Sequence, residues 1–446
     1  MALTALDIFK NLPKTNCKEC GVPTCLAFAM QLAGKKVELD KCPHVTQEAK
    51  NALESASTPP IKLITIGDGE KKIELGNETV LFRHEETFYH EPGIAVLVSD
   101  SLDKADLVEK VKTINSKSYE RVGFTLYVNF VALSNDSGDS AAFADAAETA
   151  QNNSQLPIIL MTDDPASMKA AAEKIKEKKP LLYGITADNI DSMAVVAAEM
   201  NLPAVISAPL DDLPELSQKA QDLGAGDLIL EPVAGGMSKK LEDLTRLRRA
   251  QLKKNLRVVG FPFLVNAVDK DDPYMEINRA ACYVAKYASI VIISGMEDWQ
   301  LLSLLTVRQN IYTDPQKPVQ VKPGVWTVGD PGPDSPVLVT TNFSLTYYTV
   351  EGEVSSSRVP SYILVIDTEG TSVLTAWAAE KFTVEMIADI LNQDGGIKEK
   401  VSRRRVIIPG LVAVMTAKLK DESGWDVIVG PREAMGIPKF LKSLAV

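Results

Sequence analysis

The stretch PIILMTDDPASMKAAAEKIKEKKPLLYGI (residues 157–185) contains a strand, a helix and a second strand in succession. Its two ends, 157–161 and 180–185, are apolar runs, and the segment between them, 164–179, is rich in Ala, Lys and Glu, which favour helices. Strands that are apolar on both faces are typical of a parallel sheet covered by helices. The stretch therefore predicts an α/β fold built on a parallel sheet.

The same alternation continues through the middle of the chain. Eight apolar runs of strand length occur between residues 93 and 294, and segments of helical composition such as 188–201 and 212–224 separate them. This pattern predicts a (β/α)8 TIM-like barrel, and an open doubly wound sheet is the alternative. The predicted strands are 93–99, 124–133, 157–161, 180–185, 203–207, 227–231, 257–263 and 289–294.

A second α/β region follows a stretch dense in Pro and Gly (313–336). Four more apolar runs alternate with helical segments, and a last helix closes the chain, which predicts a Rossmann-like domain. Each run ends in small residues, and ligands bind beyond the carboxyl ends of the strands in such sheets. Ordinary tight turns would also explain these small residues. The four runs are 337–342, 362–368, 405–410 and 425–431.

Composition limits the classes of partner. The 446 residues carry a net charge of −11 at pH 7, which argues against nucleic acid and anionic membranes. No apolar run approaches the roughly 20 residues that a membrane helix needs. The first 15 residues, MALTALDIFKNLPKT, lack the basic segment and apolar core of a signal peptide. We therefore expect a cytoplasmic protein that binds neither nucleic acid nor membrane.

Four of the five cysteines lie within the first 42 residues, and the fifth, Cys282, lies on an apolar helical face. Reduced thiols in a cytoplasmic protein favour metal or redox chemistry over disulfides. Four thiolates suit an iron–sulfur cluster or a structural zinc ion. Zinc ribbons usually pair two C-x2-C motifs, and only one is present, so the spacing favours a cluster over zinc or unligated thiols. The pattern C-x2-C-x4-C-x16-C-P comprises Cys17, Cys20, Cys25 and Cys42.

These features together resemble a known family. The N-terminal C-x2-C-G-x-P-T-C…C-P cluster, the barrel and the C-terminal stretch DTEGTSVLTAW (367–377) resemble the large (gamma) subunits of corrinoid iron–sulfur proteins. Those proteins serve the acetyl-CoA synthase/CO dehydrogenase (Wood–Ljungdahl) pathway of anaerobic carbon fixation. The resemblance covers the whole chain. It implies a 4Fe–4S cluster domain (1–58), a TIM-like barrel (59–315) and a Rossmann-like cobamide-binding domain (316–446).

The resemblance also implies the residues of two cofactor sites. Cys17, Cys20, Cys25 and Cys42 would ligate a 4Fe–4S cluster. A cobamide would lie against residues of the C-terminal domain, and no residue of the chain would be catalytic. The residues expected near the corrin ring are Thr340, Thr346, Gly370, Thr371, Ser372, Val373, Arg432, Glu433 and Ala434.

The implied function is that of a methyl carrier in corrinoid-dependent methyltransferase reactions. Co(I) would accept a methyl group from methyltetrahydrofolate and deliver it as methyl-Co(III) to acetyl-CoA synthase, while the 4Fe–4S cluster would reduce Co(II) back to Co(I). The implied partners are a smaller barrel subunit that completes a heterodimer, a methyltetrahydrofolate:corrinoid protein methyltransferase, and acetyl-CoA synthase/CO dehydrogenase. Segments 54–60 and 313–336 are candidate hinges between these contacts.

Two alternatives belong to other classes of protein. An iron–sulfur electron-transfer subunit would bind a flavin or nucleotide in the C-terminal domain, yet no G-x-G-x-x-G or G-x4-G-K-[ST] sequence is present. A structural subunit would use the metal only to stabilise its fold.

The position of the histidines bears on the cofactor. His44, His84 and His90 all precede residue 91, whereas many cobalamin domains provide a lower cobalt ligand through D-x-H-x-x-G. A cobamide in the C-terminal domain would therefore be base-off and without a protein histidine ligand. The loss of an axial nitrogen donor makes the reduction of Co(II) to Co(I) easier.

Overall fold

The computed structural model describes residues 5–33, 37, 39–46, 49, 59–121, 124–314 and 317–444. The chain forms two compact units, Met1–Lys117 with Tyr127–Tyr312, and Ser118–Leu126 with Thr313–Val446. The domain boundaries were expected after residues 58 and 315. Both of these residues, and most of the predicted hinge at 54–60, lie outside the described part of the chain.

The first unit begins with two short helices that pack together. Helix α1 (Ala5–Asn11) and helix α2 (Cys25–Ala33) enclose a small apolar core. Phe28 and Ala29 are buried in it, and Cys25 and Cys42 share it with them. A single turn of 3-10 helix (Leu39–Lys41) leads to Cys42.

A barrel of eight parallel strands forms the rest of this unit. An antiparallel pair, β1 (Ile64–Ile66) and β2 (Ile73–Leu75), precedes it, and a two-stranded sheet assigned to the second unit, β4 (Ser118–Arg121) with β5 (Phe124–Tyr127), interrupts it. The barrel strands are β3 (Gly93–Ser99), β6 (Phe130–Ser134), β7 (Ile158–Met161), β8 (Leu181–Ile185), β9 (Ala204–Ala208), β10 (Leu228–Pro232), β11 (Leu264–Asn266) and β12 (Ile290–Ile293).

Each barrel strand except β10 pairs in parallel with the next strand of the barrel, and β12 pairs with β3. A parallel bridge between Leu230 and Phe263 joins β10 to the residue before β11, so the sheet closes on itself. The predicted barrel is confirmed, and the open doubly wound alternative is wrong for this unit.

Helices cover the barrel, and aspartate side chains cap several of them. Asp103, Asp139, Asp164 and Asp272 each accept a hydrogen bond from a backbone N–H of the following first turn, as N-cap residues do. The covering helices are α3 (Lys104–Ser116), α4 (Ser140–Asn153), α5 (Pro165–Ile175), α6 (Ile190–Met200), α7 (Leu213–Asp222), α8 (Met237–Lys253), α9 (Pro273–Val284) and α10 (Asp298–Tyr312).

Two predicted barrel strands were wrong in extent. The run 124–133 is divided between β5 and β6 because Asn129 turns inward, where its side chain accepts hydrogen bonds from Ile94 N and from Arg308. The run 257–263 begins with a 3-10 turn (Arg257–Val259), and the strand begins only at Leu264. Gly260 and Pro262 in this run disfavour a regular strand.

The second unit contains an open five-stranded sheet with helices on both faces. The strand order is β13 (Gly324–Val328), β15 (Ser361–Ile366), β14 (Val337–Thr341), β16 (Arg405–Ile408) and β17 (Asp426–Val429), and only β13 is antiparallel to its neighbour. This confirms the Rossmann-like prediction, which missed β13. The helices are α11 (Ser344–Ser357), α12 (Val373–Ala378), α13 (Val384–Asn392), α14 (Thr416–Ser423) and α15 (Ile437–Leu444).

Within the described ranges, no helix is long and apolar enough to cross a membrane.

Candidate cofactor sites

Two of the four N-terminal cysteines precede α2, the third is its first residue, and the fourth follows it in the chain. Cys17 is exposed, Cys20 is half-buried, and Cys25 and Cys42 are buried. The side-chain Oδ1 of Asn16 accepts a hydrogen bond of 2.8 Å from the backbone N–H of Cys25. This contact joins the residue before the first cysteine to the first residue of the helix.

The backbone of this loop turns sharply. Lys14, Asn16 and Lys18 have φ angles of 59°, 49° and 68°, and Gly21 has 77°. These angles lie in the left-handed region that residues with side chains rarely adopt. The chain therefore changes direction several times within the segment that contains Cys17 and Cys20.

The arrangement of the possible metal ligands in this segment can be compared with what a single ion requires. Zinc with four sulfur ligands at about 2.3 Å would bring those sulfurs within about 4 Å of one another. Among the described residues, the only three ligand atoms that lie within 4.8 Å of one another here belong to Cys17, Glu19 and His44. His44 Nε2 and Glu19 Oε2 form a hydrogen bond of 2.8 Å. Within the described ranges, no three of the four cysteine sulfurs lie within 4.8 Å of one another, so the assignment of all four to one metal group rests on their spacing in the sequence.

A cavity of about 270 Å³ lies at the carboxyl edge of the five-stranded sheet. Strands β14 and β16 pair only at Val337–Val406 and Leu338–Ile407, and they separate beyond this point. The chain leaves β14 for β15 on one side and returns to β16 on the other side. Such a reversal of strand order is where ligands bind in open α/β sheets.

The cavity wall contains some of the predicted cobamide residues and not others. Five of them line it, together with apolar residues from β14, β16 and α11. Four others lie in the same loops without lining it. The lining residues are Thr340, Thr346, Val373, Arg432 and Ala434, and the others are Gly370, Thr371, Ser372 and Glu433.

Thr340 lines the cavity, and its hydroxyl is buried. Its side chain is 1% exposed, and its Oγ1 has no hydrogen-bond partner among the described residues. A buried hydroxyl without a partner costs about 1–3 kcal/mol. A cavity of about 270 Å³ would take only part of a cofactor as large as a cobamide, so the rest of such a cofactor would lie outside the cavity.

Two loops meet at one end of the cavity, and the approach requires a glycine. A Cβ atom on Gly410 would lie 2.6 Å from the carbonyl oxygen of Gly430 and 2.9 Å from the backbone nitrogen of Arg432. Both distances are too short for a side chain. Gly410 therefore lets the loop after β16 pack against the loop that carries Arg432.

Asn342 is the important residue of this region that the sequence did not single out. It is fully buried at the end of β14, and its Oδ1 accepts hydrogen bonds from Thr368 N, Thr368 Oγ1 and Gly370 N at 2.9, 2.9 and 3.0 Å. Its Nδ2 donates to Gln320 Oε1 and Asp367 Oδ1. The one available signal was a polar residue that ends an apolar strand.

This network explains why part of the loop does not line the cavity. A Cβ atom on Gly370 would lie 2.8 Å from Gln320 Cγ, and the hydroxyl of Thr371 donates to Thr368 O at 2.7 Å. These residues shape the loop from within, and the loop places Val373 in the cavity wall.

The carboxyl end of the barrel contains a second buried polar group, which is internally satisfied. Glu231 is 4% exposed, and its Oε2 accepts hydrogen bonds from Tyr183 Oη and Ser207 Oγ at 2.6 and 2.7 Å. Its Oε1 lies 3.4 Å from Lys240 Nζ. Burial and the charge of Glu231 raise the pKa of Tyr183 well above its ordinary value. The polar groups of Glu231 are thus satisfied by side chains of the barrel itself.

Comparisons with known proteins place the chain in a family. Residues 63–441 match the family model described as CO dehydrogenase/acetyl-CoA synthase delta subunit, and residues 12–44 match one described as a putative Fe-S cluster. Among solved structures, dihydropteroate synthase from Thermus thermophilus covers 56% of this chain and 100% of its own at 15% identity, with a TM-score of 0.41, which is too low to bear on fold or function.

Relatives match over the whole length, including the cysteine segment. The corrinoid/iron-sulfur protein large subunit of Moorella thermoacetica is 46% identical over 99% of both chains. The acetyl-CoA decarbonylase/synthase complex subunit gamma of Methanothermobacter thermautotrophicus is 37% identical over 100% of both. These full-length matches decide between the delta and gamma descriptions. The chain belongs to the family of corrinoid/iron–sulfur protein large subunits and acetyl-CoA decarbonylase/synthase gamma subunits.

Proposed function

We propose that this chain is a methyl carrier that holds a cobamide in the cavity of its second unit. The observation that carries the proposal is the cavity at the point where β14 and β16 separate, which five of the predicted cobamide residues line. The name of the Moorella relative, a corrinoid/iron-sulfur protein, supports the same cofactor.

The residues proposed to contact the cobamide are those predicted from the sequence, with the strongest support for the five that line the cavity. Thr340 and Thr346 would offer hydroxyls to the amide rim of the corrin, and Val373 would pack against its apolar surface. Gly370, Thr371 and Ser372 would act mainly by holding the loop. When bound, the cobamide would supply a cobalt centre that takes a methyl group from methyltetrahydrofolate and passes it to acetyl-CoA synthase.

The N-terminal cysteines are proposed to hold a 4Fe–4S cluster within residues 1–58. Cys25 and Cys42 lie in an apolar core with Phe28 and Ala29, which would keep water from one side of the group. Cys17 is exposed and would leave the other side open to an electron donor. When bound, the cluster would supply the electron that restores the reduced cobalt.

The chain itself provides no histidine below the cobalt in this proposal. All three histidines precede residue 91, so none occurs in the part of the chain that forms the sheet of the second unit. We infer that the cobamide has no histidine ligand from this chain, and we propose in addition that its own base is detached from cobalt. The C-terminal residues would then position and shield the cofactor without tuning it through an axial bond.

The proposed partners follow from the same family. A smaller barrel subunit would complete a heterodimer, and the carrier would meet a methyltetrahydrofolate:corrinoid protein methyltransferase and acetyl-CoA synthase/CO dehydrogenase in turn. The words "large subunit" and "complex subunit" in the names of the relatives support an assembly of this kind. Segment 54–60 remains a candidate hinge, and so does the part of 313–336 that precedes β13 (Gly324–Val328), because β13 itself is paired within the sheet.

A methyl-transfer assay tests this proposal. The chain is produced with its smaller subunit under anaerobic conditions, reduced, and mixed with the methyltransferase and methyltetrahydrofolate labelled in the methyl group. We expect the label to appear in the protein-bound corrinoid and then to pass to acetyl-CoA synthase. Methylation of free cobamide with no label on this protein would contradict the proposal.

A further inference from the structure

Three side chains of different kinds meet beside the first cysteine of the chain. The Sγ of Cys17, a carboxylate oxygen of Glu19 and a ring nitrogen of His44 all lie within 4.8 Å of one another. Glu19 and His44 are 25 positions apart in the chain, and His44 Nε2 lies 2.8 Å from Glu19 Oε2. Thiolate, carboxylate and imidazole are the side-chain ligands that zinc uses in proteins.

The abundance of acidic residues does not explain this group. The chain has 59 Asp and Glu residues, yet within the described ranges no other set of three or more His, Cys, Asp and Glu side chains brings its ligand atoms this close together. The other three cysteines of the N-terminal motif do not take part in it. The group is therefore a property of this one place in the fold and not of the composition.

Two separate turns of the backbone present the three ligands. The N–H of Gly21 donates to Lys18 O at 2.9 Å in the first turn, and the N–H of Val45 donates to Cys42 O at 3.5 Å in the second. All three ligand residues are exposed. An ion would therefore enter from solvent, and water would complete its coordination, as at zinc sites with three protein ligands.

We propose that the chain without its cluster binds one Zn²⁺ ion through Cys17, Glu19 and His44. A thiolate and a carboxylate together balance the charge of the ion. Sulfur and nitrogen donors favour zinc over Mg²⁺ and Ca²⁺, which take oxygen ligands. Zinc lies about 2.0–2.3 Å from each donor and so needs ligand atoms about 3–4 Å apart, which the present separations approach.

Zinc at this site would compete with assembly of the proposed cluster. Cys17 is one of the four proposed cluster ligands, and an ion that holds its thiolate withholds it from iron. This consequence rests on the proposed function, whereas the binding of zinc does not. The ratio of zinc to iron during assembly would then decide how much of the chain receives a cluster.

X-ray absorption at the zinc edge tests the proposal directly. The full chain is produced with its smaller subunit under anaerobic conditions, treated with a chelator to remove the cluster, and loaded with one equivalent of Zn²⁺. We expect one sulfur neighbour, with nitrogen and oxygen as the others. Two or more sulfur neighbours would overturn the proposal, because zinc would then lie within the cysteine motif. A spectrum without sulfur, or a chain that binds no zinc, would also overturn it.

Variants identify the ligands other than sulfur. His44→Ala and Glu19→Gln should each weaken zinc binding by at least about tenfold, because even an outer-shell partner of a metal typically contributes about 10- to 100-fold in affinity. Cys20→Ala and Cys282→Ala should bind zinc as the native chain does. Competition titrations against a chromogenic chelator measure the affinities. An unchanged affinity in His44→Ala, or an equal loss in Cys20→Ala, would overturn the proposal.

Reconstitution with iron and sulfide separates this inference from the proposed function. Zinc added beforehand should lower the cluster absorbance that the native chain reaches, and His44→Ala should need about ten times more zinc for the same effect. Equal sensitivity of the two chains to zinc would overturn the competition at this site. A native chain that binds zinc through one sulfur but assembles no cluster without zinc would overturn the proposed cluster and leave the zinc site standing.

Discussion

The side-chain oxygen of Asn342 accepts a hydrogen bond of 3.0 Å from the backbone N–H of Gly370. The two residues lie 28 positions apart, one at the end of β14 and the other in the loop after β15. Asn342 does not line the cavity, whereas Val373, at the end of that loop, does. The shape of the site therefore depends on a buried amide that does not line it.

The role of the side-chain amide of Asn342 can be tested by replacing it with a carboxylate. In Asn342→Asp the introduced carboxylate would face Asp367, which now accepts from Nδ2 at 3.0 Å, so the loop should be repelled. Protonation at low pH would relieve this repulsion, and we expect cobamide affinity in the variant to fall as pH rises. Binding titrations between pH 5 and 8 measure the trend, and the native chain should show no such slope.

Rescue separates this role from general loss of stability. Asp367→Asn in the Asn342→Asp background restores one donor and one acceptor to the pair, and should recover most of the affinity at high pH. A double variant as weak as the single one would mean that the network does not position the loop.

Removal of the Thr340 hydroxyl should raise the free energy of unfolding and lower the affinity for cobamide. Thr340→Val removes a buried group without a partner among the described residues, so the apo protein should gain about 1 kcal/mol in free energy of unfolding. Cobamide affinity should fall about tenfold because one hydrogen bond to the ligand is lost. Denaturant unfolding and corrinoid titration measure the two effects.

Thr341→Val is the matched control. The hydroxyl of Thr341 is also buried and unpartnered within the described ranges, yet this residue does not line the cavity. It should give the same gain in stability with no change in affinity. If both variants bind cobamide equally well, Thr340 does not contact the cofactor.

Gly410 should not tolerate a side chain. The Cβ of Gly410→Ala would lie 2.6 Å from the carbonyl oxygen of Gly430, and overpacking of this kind costs about 1–3 kcal/mol. Gly352 in α11 has no atom within 4 Å of a Cβ position, so Gly352→Ala should be neutral or stabilise by up to about 1 kcal/mol. Thermal unfolding of both variants checks the contrast, and equal effects would contradict the packing described.

The Glu231 network should contribute to the stability of the barrel and not to cobamide binding. Glu231→Ala leaves Lys240 buried without its carboxylate, which should cost about 3–5 kcal/mol. Glu231→Leu combined with Lys240→Met should cost much less because both charges are removed together. Calorimetry measures the difference, and a double variant as unstable as the single one would argue against the ion pair as the cause.

The assignment of the N-terminal cysteines as cluster ligands predicts that reductive activation can be lost while methyl transfer is kept. Cys20→Ala should abolish the iron–sulfur signal and reductive activation, while chemically reduced protein should still accept a methyl group. Cys282→Ala, in the barrel unit and outside the N-terminal cysteine motif, should leave both activities intact. Equal loss of both activities in Cys20→Ala would mean that the metal group mainly stabilises the fold.

Much of the architecture follows from runs of apolar residues, and the errors have identifiable causes. The barrel strands were predictable because buried parallel strands carry no alternation. The break at Asn129 was not, because its partner Arg308 lies 179 residues away. Strand β13 was missed because Pro323 and Gly329 flank a five-residue run at the edge of the sheet.

The loops that surround the cavity were predictable from the sequence, whereas the residues that contact a cofactor stay a prediction. Spacing alone identified the cysteine segment, and small residues at strand ends identified the loops around the cavity. Which side chains turn inward depends on contacts between distant loops, such as that of Asn342 with Gly370. Thr340 and Arg432 line the cavity, whereas Thr371 and Ser372 do not. The sequence alone does not show this difference.

Electron paramagnetic resonance of the protein, produced anaerobically with its smaller subunit, tests the central claim most directly. We predict a Co(II) signal without nitrogen superhyperfine splitting, together with the signal of a reducible 4Fe–4S cluster. An iron–sulfur signal with no cobalt would contradict the methyl-carrier account and would redirect attention to a flavin or nucleotide in the cavity of the second unit.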